Sequence, residues 1–178
     1  MEALKMLYTR KSVRSFLDKE IEEEKIEQIL KAAMSAPSAI NRQPWKFYVV
    51  KSKEKKNEIK KAMNFGKYDS PIIIIPCTND LKAIPLAHDL VYCDLGAASE
   101  NILLAAHALG LGAVWCAIYP TKMHMKKIAK IIGASINEHP YSAIYIGYPS
   151  EDDKSKGDIL PPLKEVGASC SMTLASQA

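Results

Sequence analysis

The sequence lacks the patterns that mark several common kinds of functional site. It contains no GxGxxG or GxxxxGK[ST] motif, so neither a dinucleotide fold nor a P-loop is indicated. No GxSxG nucleophile motif occurs, and the four cysteines include no CxxC pair. The histidines pair with no cysteine or carboxylate at a recognised ligand spacing. We therefore expect no metal site.

Long apolar runs and strong charge are also missing. No apolar stretch approaches the ~20 residues of a bilayer-spanning helix, so we expect no membrane partner. The net charge is +4, and the densest basic run, 51–61, includes two glutamates but no arginine or aromatic residue. That run favours a solvated helix face over a nucleic-acid site. Unpaired cysteines and a charged N-terminus without a signal sequence predict a cytoplasmic protein.

The chain length of 178 residues and the apolar fraction favour a single globular domain. We predict a single domain over 1–170 and a flexible tail over 171–178. The periodicity predicts helices at 2–9, 21–33, 53–63, 90–109 and 121–132, and strands at 46–50, 72–75, 113–119 and 142–146. This order indicates an α+β or α/β layered domain around a central sheet, whose topology periodicity alone does not determine.

The predicted helix at 90–109 is apolar or small around most of its circumference. Such a helix is buried in a core or against a partner, and its small residues allow close helix packing. Gly110 is suited to end it in the left-handed conformation. Thr121 is the candidate N-cap of the predicted helix at 121–132. We expect His124 on the surface of that helix.

Two short segments carry polar groups suited to a bound ligand. Residues 10–16, RKSVRSF, place three cations and two hydroxyls after a short helix, an arrangement that can hold a phosphate dianion. Residues 36–45, APSAINRQPW, form a proline-bracketed loop that can present backbone and amide donors to a planar ligand. Taken singly, the first segment is better explained as a basic surface turn, and the second as a structural helix-to-strand connection.

Together, the two segments resemble the N-terminal signature of the nitroreductase family, R-[RHK]-S-[VI]-R-x-[FY] followed by A-P-S-x-x-N-x-Q-P-W. The resemblance continues in residues 98–115, ASENILLAAHALGLGAVW, which are similar to the dimer helix and strand entry of the family. It extends to residues 144–149, IYIGYP. It therefore covers residues 4–150 in the expected order and spacing.

The resemblance implies a three-layer α/β/α fold of the α+β class, with a central mixed, mainly antiparallel sheet. It implies an intertwined homodimer that holds FMN at the subunit boundary. Arg10, Lys11 and Ser12 match contacts to the phosphate and ribityl chain, and Arg14 matches a basic position near the pyrimidine edge. The remaining matches are Ser38, Ala39 and Asn41, which reach the flavin of the other subunit, and Trp115, Cys116 and Ala117, which pass close to the ring.

The function implied is an FMN-dependent oxidoreductase. It would use NADH or NADPH to reduce nitro compounds, quinones or similar small electron acceptors by a ping-pong mechanism. No side chain is assigned a catalytic acid–base role, because the flavin carries the chemistry. Alternatives on the same scaffold are reductive dehalogenation and an FMN storage or sensor protein with little turnover.

The C-terminal segment departs from the family pattern. Many short relatives carry a cation there that returns to the FMN phosphate, whereas this sequence has Ile159 and Leu160. Lys154 or Lys156 is the candidate substitute by reach, and we assign Lys156 to the cofactor site. This departure favours the storage or sensor alternative.

Overall fold

The computed structural model describes residues 3–151, which contain five α-helices, one 3₁₀ turn and four β-strands. The elements in chain order are α1 (Ala3–Thr9), α2 (Glu23–Met34), the 3₁₀ turn Ala39–Asn41, β1 (Trp45–Val50), α3 (Lys53–Ala62), β2 (Ile72–Thr78), α4 (Leu90–Ala108), β3 (Gly112–Ala117), α5 (Lys122–Ile132) and β4 (Ser142–Gly147).

The four strands form one sheet in the order β1-β2-β4-β3, and every neighbouring pair is antiparallel. β1 pairs with β2 from Trp45 opposite Thr78, and β3 pairs with β4 from Gly112 opposite Gly147. Parallel pairing in the described residues is limited to an isolated bridge between Ser12 and Ala113. β1 and β3 are therefore the edge strands.

The sheet is buried on both faces. One face packs against α2 and α4 through a cluster that includes Ile29, Ile102 and Ile144. The other packs against α3 and α5 through a cluster that includes Ile59, Ile128 and Tyr145. Every residue of β2 and β4 is buried, as expected of central strands covered on both sides. The predicted three-layer α+β fold is confirmed.

The helices follow the predicted patterns with small shifts at their ends. In α2 the buried side chains are Ile26, Ile29 and Ala33, which lie on one face at spacings of three and four. α4 ends where Gly110 adopts a left-handed φ of 75°, as the sequence predicted. None of the described helices is both long enough and apolar enough to cross a bilayer.

Two local predictions, the end of β2 and the exposure of His124, were wrong, and the N-cap prediction for Thr121 was confirmed in position only. β2 continues past Pro76, whose carbonyl accepts from Tyr141 N–H. Its ring nitrogen faces the same side, where the pairing register shifts by one residue between the Ile74–Ile144 pair and the Cys77–Pro140 bridge, and a proline is tolerated at such an irregular position. Thr121 occupies the N-cap position of α5 without a side-chain capping bond. His124 is buried, because it shares the inward-facing row of α5 with Ile128 and Ile132.

The predicted domain boundaries at residue 170 and the predicted tail at 171–178 lie outside the described residues. Both stay predictions.

Glu138 ties the loop before β4 to the edge strand β1. Its buried carboxylate accepts a hydrogen bond from the Tyr48 hydroxyl at 2.5 Å and one from the Ser135 N–H at 3.0 Å. Lys46 Nζ lies 3.1 Å from the other oxygen. Burial alone raises the pKa of Glu138, but these hydrogen bonds and the Lys46 charge outweigh it and lower the pKa from 4.5 to about 2.

We predict that Glu138→Gln lowers the free energy of unfolding by about 1.5–3 kcal/mol at neutral pH, the usual value of a charged hydrogen bond. Because the folded-state pKa is depressed, the stabilisation is present above about pH 4.5 and is lost as pH falls towards about 2. Denaturant titration of both proteins at several pH values measures this. The exposed Glu58→Gln is the control, and an equal effect of the two substitutions would contradict the assignment.

Candidate functional site

The segment Arg10–Arg14 lies against the outer edge of β3. Val13 N–H donates to the Ala113 carbonyl at 3.0 Å, which forms the single parallel bridge. The close approach requires glycine at position 112, because a Cβ atom there would lie 2.6 Å from the Val13 side chain. The basic segment is thus held on β3, the strand that carries the predicted site residues Trp115, Cys116 and Ala117.

Arg10 and Lys11 meet the C-terminal half of α4. Arg10 Nε donates to Glu100 Oε1 at 2.8 Å, which uses one of the five guanidinium donors. Thr9 Oγ1 lies 2.8 Å from His107 Nε2. A cleft of about 310 Å³ opens between these groups, and it is lined by Arg10, Lys11, Val13, Leu103, His107, Gly110, Leu111, Ala113 and Pro149. Two predicted phosphate contacts therefore share one cleft.

Arg14 extends from the same segment towards the middle of β3. Its Nη1 donates to the Ser12 carbonyl at 3.3 Å. Burial raises the pKa of the Cys116 thiol to about 11, and the nearby Arg14 charge acts against this rise. Ser12, Arg14 and Cys116, which the sequence assigned to one site, therefore lie close together.

The outer edge of β3 offers backbone donors beyond Ala113. Since the Ala113 carbonyl points outward to Val13, strand alternation directs the N–H groups of Trp115 and Ala117 to the same edge. Among the described residues, no further strand covers that edge. The side chains of successive β3 residues point to opposite faces of the sheet. Trp115 packs on Tyr141 with ring centroids 5.7 Å apart, whereas Cys116 faces Gly66.

The loop Ser38–Asn41 has an unusual backbone and an acidic anchor. Ile40 and Asn41 have φ values of 45° and 56°, which cost about 1–3 kcal/mol each for non-glycine residues. Ala39 N–H donates to Asp94 Oδ1 at 2.9 Å, and Ser38 Oγ accepts from Gln43 N–H at 2.9 Å. Such stored strain is typical of a ligand-binding loop.

Within one chain, this loop and the Arg10–Arg14 segment are anchored at different places on α4. Asp94 precedes Glu100 by six residues, which is about 9 Å along the helix and about 120° around it. The structure therefore brings Arg10, Lys11, Ser12 and Arg14 to the strand that carries Trp115, Cys116 and Ala117, and it anchors the loop of Ser38, Ala39 and Asn41 at a different place on α4 from Arg10. The predicted Lys156 lies outside the described residues.

The structure also shows contacts that the sequence analysis missed. Asp94 and Glu100 anchor the two motifs, yet single acidic residues in an apolar helix carry no pattern that identifies a partner. His107 was expected on a packed helix, and it lines the cleft beside Arg10. Gly66 packs directly on Cys116, since a Cβ there would lie 2.3 Å from the thiol sulfur. The loop between α3 and β2 therefore reaches the candidate site.

One apolar surface has no partner within the described chain. α1 buries none of its residues, although it carries Leu4, Leu7 and Tyr8, each more than half exposed. Ile40 at the tip of the strained loop is 80% exposed. Exposed apolar groups of this size are typical of a protein–protein contact.

Comparison with known proteins agrees with this arrangement. The model of the nitroreductase family matches residues 7–66 and 57–148. A protein of Archaeoglobus fulgidus, provisionally named NADH dehydrogenase/NAD(P)H nitroreductase, is 42% identical over 153 residues, which are 85% of this chain and 87% of the relative.

Two solved structures extend the likeness to the fold. A protein of Bacteroides thetaiotaomicron with the same provisional name has a TM-score of 0.80 at 38% identity, covering 86% of this chain and 90% of the other. A nitroreductase of Desulfovibrio desulfuricans, solved in complex with FMN, has a TM-score of 0.71 at 27% identity, covering 88% and 91%. This chain belongs to the nitroreductase family.

Proposed function

We propose that this protein is an FMN-dependent oxidoreductase that takes electrons from NADH or NADPH. The observation that carries the proposal is the position of the Arg10–Arg14 segment, which lies beside the outward-facing amides of β3. Cations for a phosphate and donors for a flavin edge thus occur on one strand edge. The family relationship and the FMN bound by the Desulfovibrio relative support the same cofactor.

The donor set fits FMN at both of its polar ends. At one end, Arg10 and Lys11 line a cleft that can receive the phosphate, where charge-assisted hydrogen bonds are strong. At the other end, the N–H groups of Trp115 and Ala117 face outward and can bind acceptor atoms of the ring. Arg14 lies between the two, near Cys116. FMN is favoured over FAD because the basic segment suits a terminal phosphate.

The chain supplies binding, orientation and electrostatics. When bound, FMN supplies hydride acceptance from NAD(P)H and delivery of two electrons to a second substrate. Arg10 and Lys11 neutralise the phosphate, and the edge amides of β3 orient the ring. The Arg14 guanidinium favours negative charge on the ring edge, which lowers the cost of reduction. No acid–base side chain is needed for these roles.

We propose small, electron-poor acceptors such as nitro compounds and quinones as the second substrates. We infer a ping-pong mechanism, in which the oxidised nicotinamide would leave before the acceptor enters the same site. This assignment extends the provisional name of the Archaeoglobus relative to the present chain.

The working unit that we propose is a homodimer with two FMN sites. Within one chain the Ser38–Asn41 loop and the Arg10–Arg14 segment are anchored at different places on α4, and a homodimer would let the loop of one subunit approach the cofactor held by the other. The exposed apolar side chains of α1 are suited to the subunit contact. We also propose that residues 1–170 form the domain, with Lys156 at the phosphate, and that the protein acts in the cytoplasm.

The first prediction concerns cofactor and donor. Purified protein should release FMN on heating, and the bound flavin should lose its yellow colour under nitrogen when NADH or NADPH is added. Chromatography of the released flavin and anaerobic absorbance titration measure the two steps. FAD as the main released species would refute the cofactor assignment. Bound FMN that neither nicotinamide bleaches would instead favour the storage or sensor alternative.

The second prediction concerns Arg10. Arg10→Ala should weaken FMN binding by about ten- to a hundredfold, the usual value of a charge-assisted hydrogen bond of about 1.5–3 kcal/mol. Riboflavin, which lacks the phosphate, should be affected far less. Titration of apoprotein with both ligands measures the difference. Lys31→Ala on α2 is the control cation, and Lys156→Ala should show a smaller, FMN-selective loss. Equal weakening of both ligands in Arg10→Ala would place Arg10 away from the phosphate.

The third prediction concerns assembly. Leu4→Glu combined with Leu7→Glu places charges on the exposed apolar face of α1 and should convert the dimer into monomers that lose FMN. Light scattering gives the mass, and absorbance gives the flavin content. Ile136→Glu, at a residue 89% exposed elsewhere, is the control and should change neither. A stable monomer that keeps full FMN occupancy is the result that contradicts the two-subunit site.

A further inference from the structure

The helices α3 and α5 lie side by side on one face of the sheet, and together they carry nine of the 24 lysine and arginine residues of the protein. We propose that the outer surface of this pair, called here the basic layer, is a peripheral docking surface for an anionic lipid bilayer. The basic layer consists of residues 51–67 and 122–132.

The charge of the basic layer is unlike that of the rest of the chain. It contains eleven lysines and two glutamates, a net charge of +9, whereas the whole protein has +4, so the remaining residues carry −5. Nine of the eleven lysines are exposed, and one of these, Lys51, is paired with Glu23. α5 contains no acidic residue. The excess of positive charge is therefore concentrated on one side of the sheet.

The geometry of α5 directs its lysines away from the core. His124, Ile128 and Ile132 form the buried row. Lys122, Lys126 and Lys130 form a second row at spacings of four residues, about 160° from the first around the helix at its midpoint. A flat charged partner can therefore contact all three without disturbing the packing against the sheet.

Exposed apolar side chains occur within the same layer. Phe65 follows the end of α3 by three residues and is 81% exposed, and Met123 in the first turn of α5 is 53% exposed. Lysines combined with a few exposed aromatic and apolar groups are typical of surfaces that lie on an anionic membrane and insert side chains among the lipid headgroups.

The type of cation favours a bilayer over a structured macromolecular partner. All eleven cations are lysine, and the three arginines of the protein, Arg10, Arg14 and Arg42, lie elsewhere. Protein interfaces and nucleic-acid sites favour arginine, whose planar fork makes specific bidentate contacts. Lysine acts as a hydrated point charge, which is sufficient for attraction to a diffuse anionic leaflet.

No membrane partner was expected from the sequence because no apolar stretch is long enough to span a bilayer, and the lysine-rich run at 51–61 by itself indicated only a solvated helix face. The structure adds a second lysine row from α5, more than 60 residues later in the chain. The inference does not depend on the proposed function, since lipid binding requires neither FMN nor NAD(P)H. If the proposed function also holds, docking brings the enzyme to acceptors dissolved in the bilayer, including quinones.

The test is sedimentation of the purified full chain, with its bound flavin, together with lipid vesicles. Vesicles with about 30% phosphatidylglycerol in phosphatidylcholine are compared with pure phosphatidylcholine, at about 50 mM and about 500 mM salt. Binding should require the anionic lipid and should decrease at least about tenfold at high salt, where the screening length falls to a few ångströms. Equal binding to both vesicles, or none to either, overturns the proposal.

A charge-matched pair of variants locates the surface. Lys61→Gln, Lys126→Gln and Lys130→Gln together remove three charges from the basic layer. A lysine near an anionic leaflet raises affinity about fivefold, so the triple variant should lose at least about tenfold. The control variant combines Lys5→Gln, Lys31→Gln and Lys82→Gln. It has the same net charge as the first triple variant, but its three substitutions lie outside the basic layer. It should lose less than about threefold.

Equal losses in the two triple variants would show attraction by net charge alone and overturn the docking surface. If the basic-layer variant keeps full vesicle binding but loses binding to an acidic protein or to RNA, the occupant is that macromolecule and the bilayer proposal fails. NAD(P)H-dependent activity of both variants in solution should stay unchanged. A flavin-free but vesicle-binding protein would refute the proposed function and leave this inference standing.

Discussion

Burial of the sheet on both faces is the constraint on which the rest of the structure depends. β2 and β4 expose no residue, so each face needs a helical layer. α2 and α4 cover one face, and α3 and α5 cover the other. The backbone groups of the inner strands are used within the sheet. Outward-facing amides are therefore confined to edge strands, and β3 is the edge beside which the cationic N-terminal segment is held.

The candidate site follows from how that edge is used. Glycine at position 112 removes the Cβ that would collide with Val13, and a single backbone hydrogen bond then holds the segment on Ala113. Pairing extends over one residue, which leaves the next amides of β3 available to a ligand. α4 crosses behind the strand and anchors both motifs through acidic side chains, Glu100 for one and Asp94 for the other. The helix thus anchors the two motifs at different positions along its length.

The placement of the elements could be predicted from the sequence to within a few residues, because apolar spacing of two or of three to four records which face is buried. Errors occurred where the tertiary environment overrides local preference. β2 was expected to end at residue 75, yet it continues past Pro76, whose missing N–H falls where the pairing register on that side shifts. His124 was expected at the surface, yet it occupies the inward row of α5. Thr121 occupies a capping position without making the capping bond.

By itself the sequence determined a layered domain around a central sheet and the residues that carry cations and amides, since these depend on local spacing and residue chemistry. The resemblance of its motifs to the nitroreductase family implied the α+β class. Only the tertiary structure decided which groups meet. It placed Arg10 on Glu100 and His107 beside the cleft, anchored the strained loop on Asp94, and joined two distant lysine runs into one basic layer. Such contacts join residues far apart in the chain, and the local pattern around each residue contains no information about its distant partner.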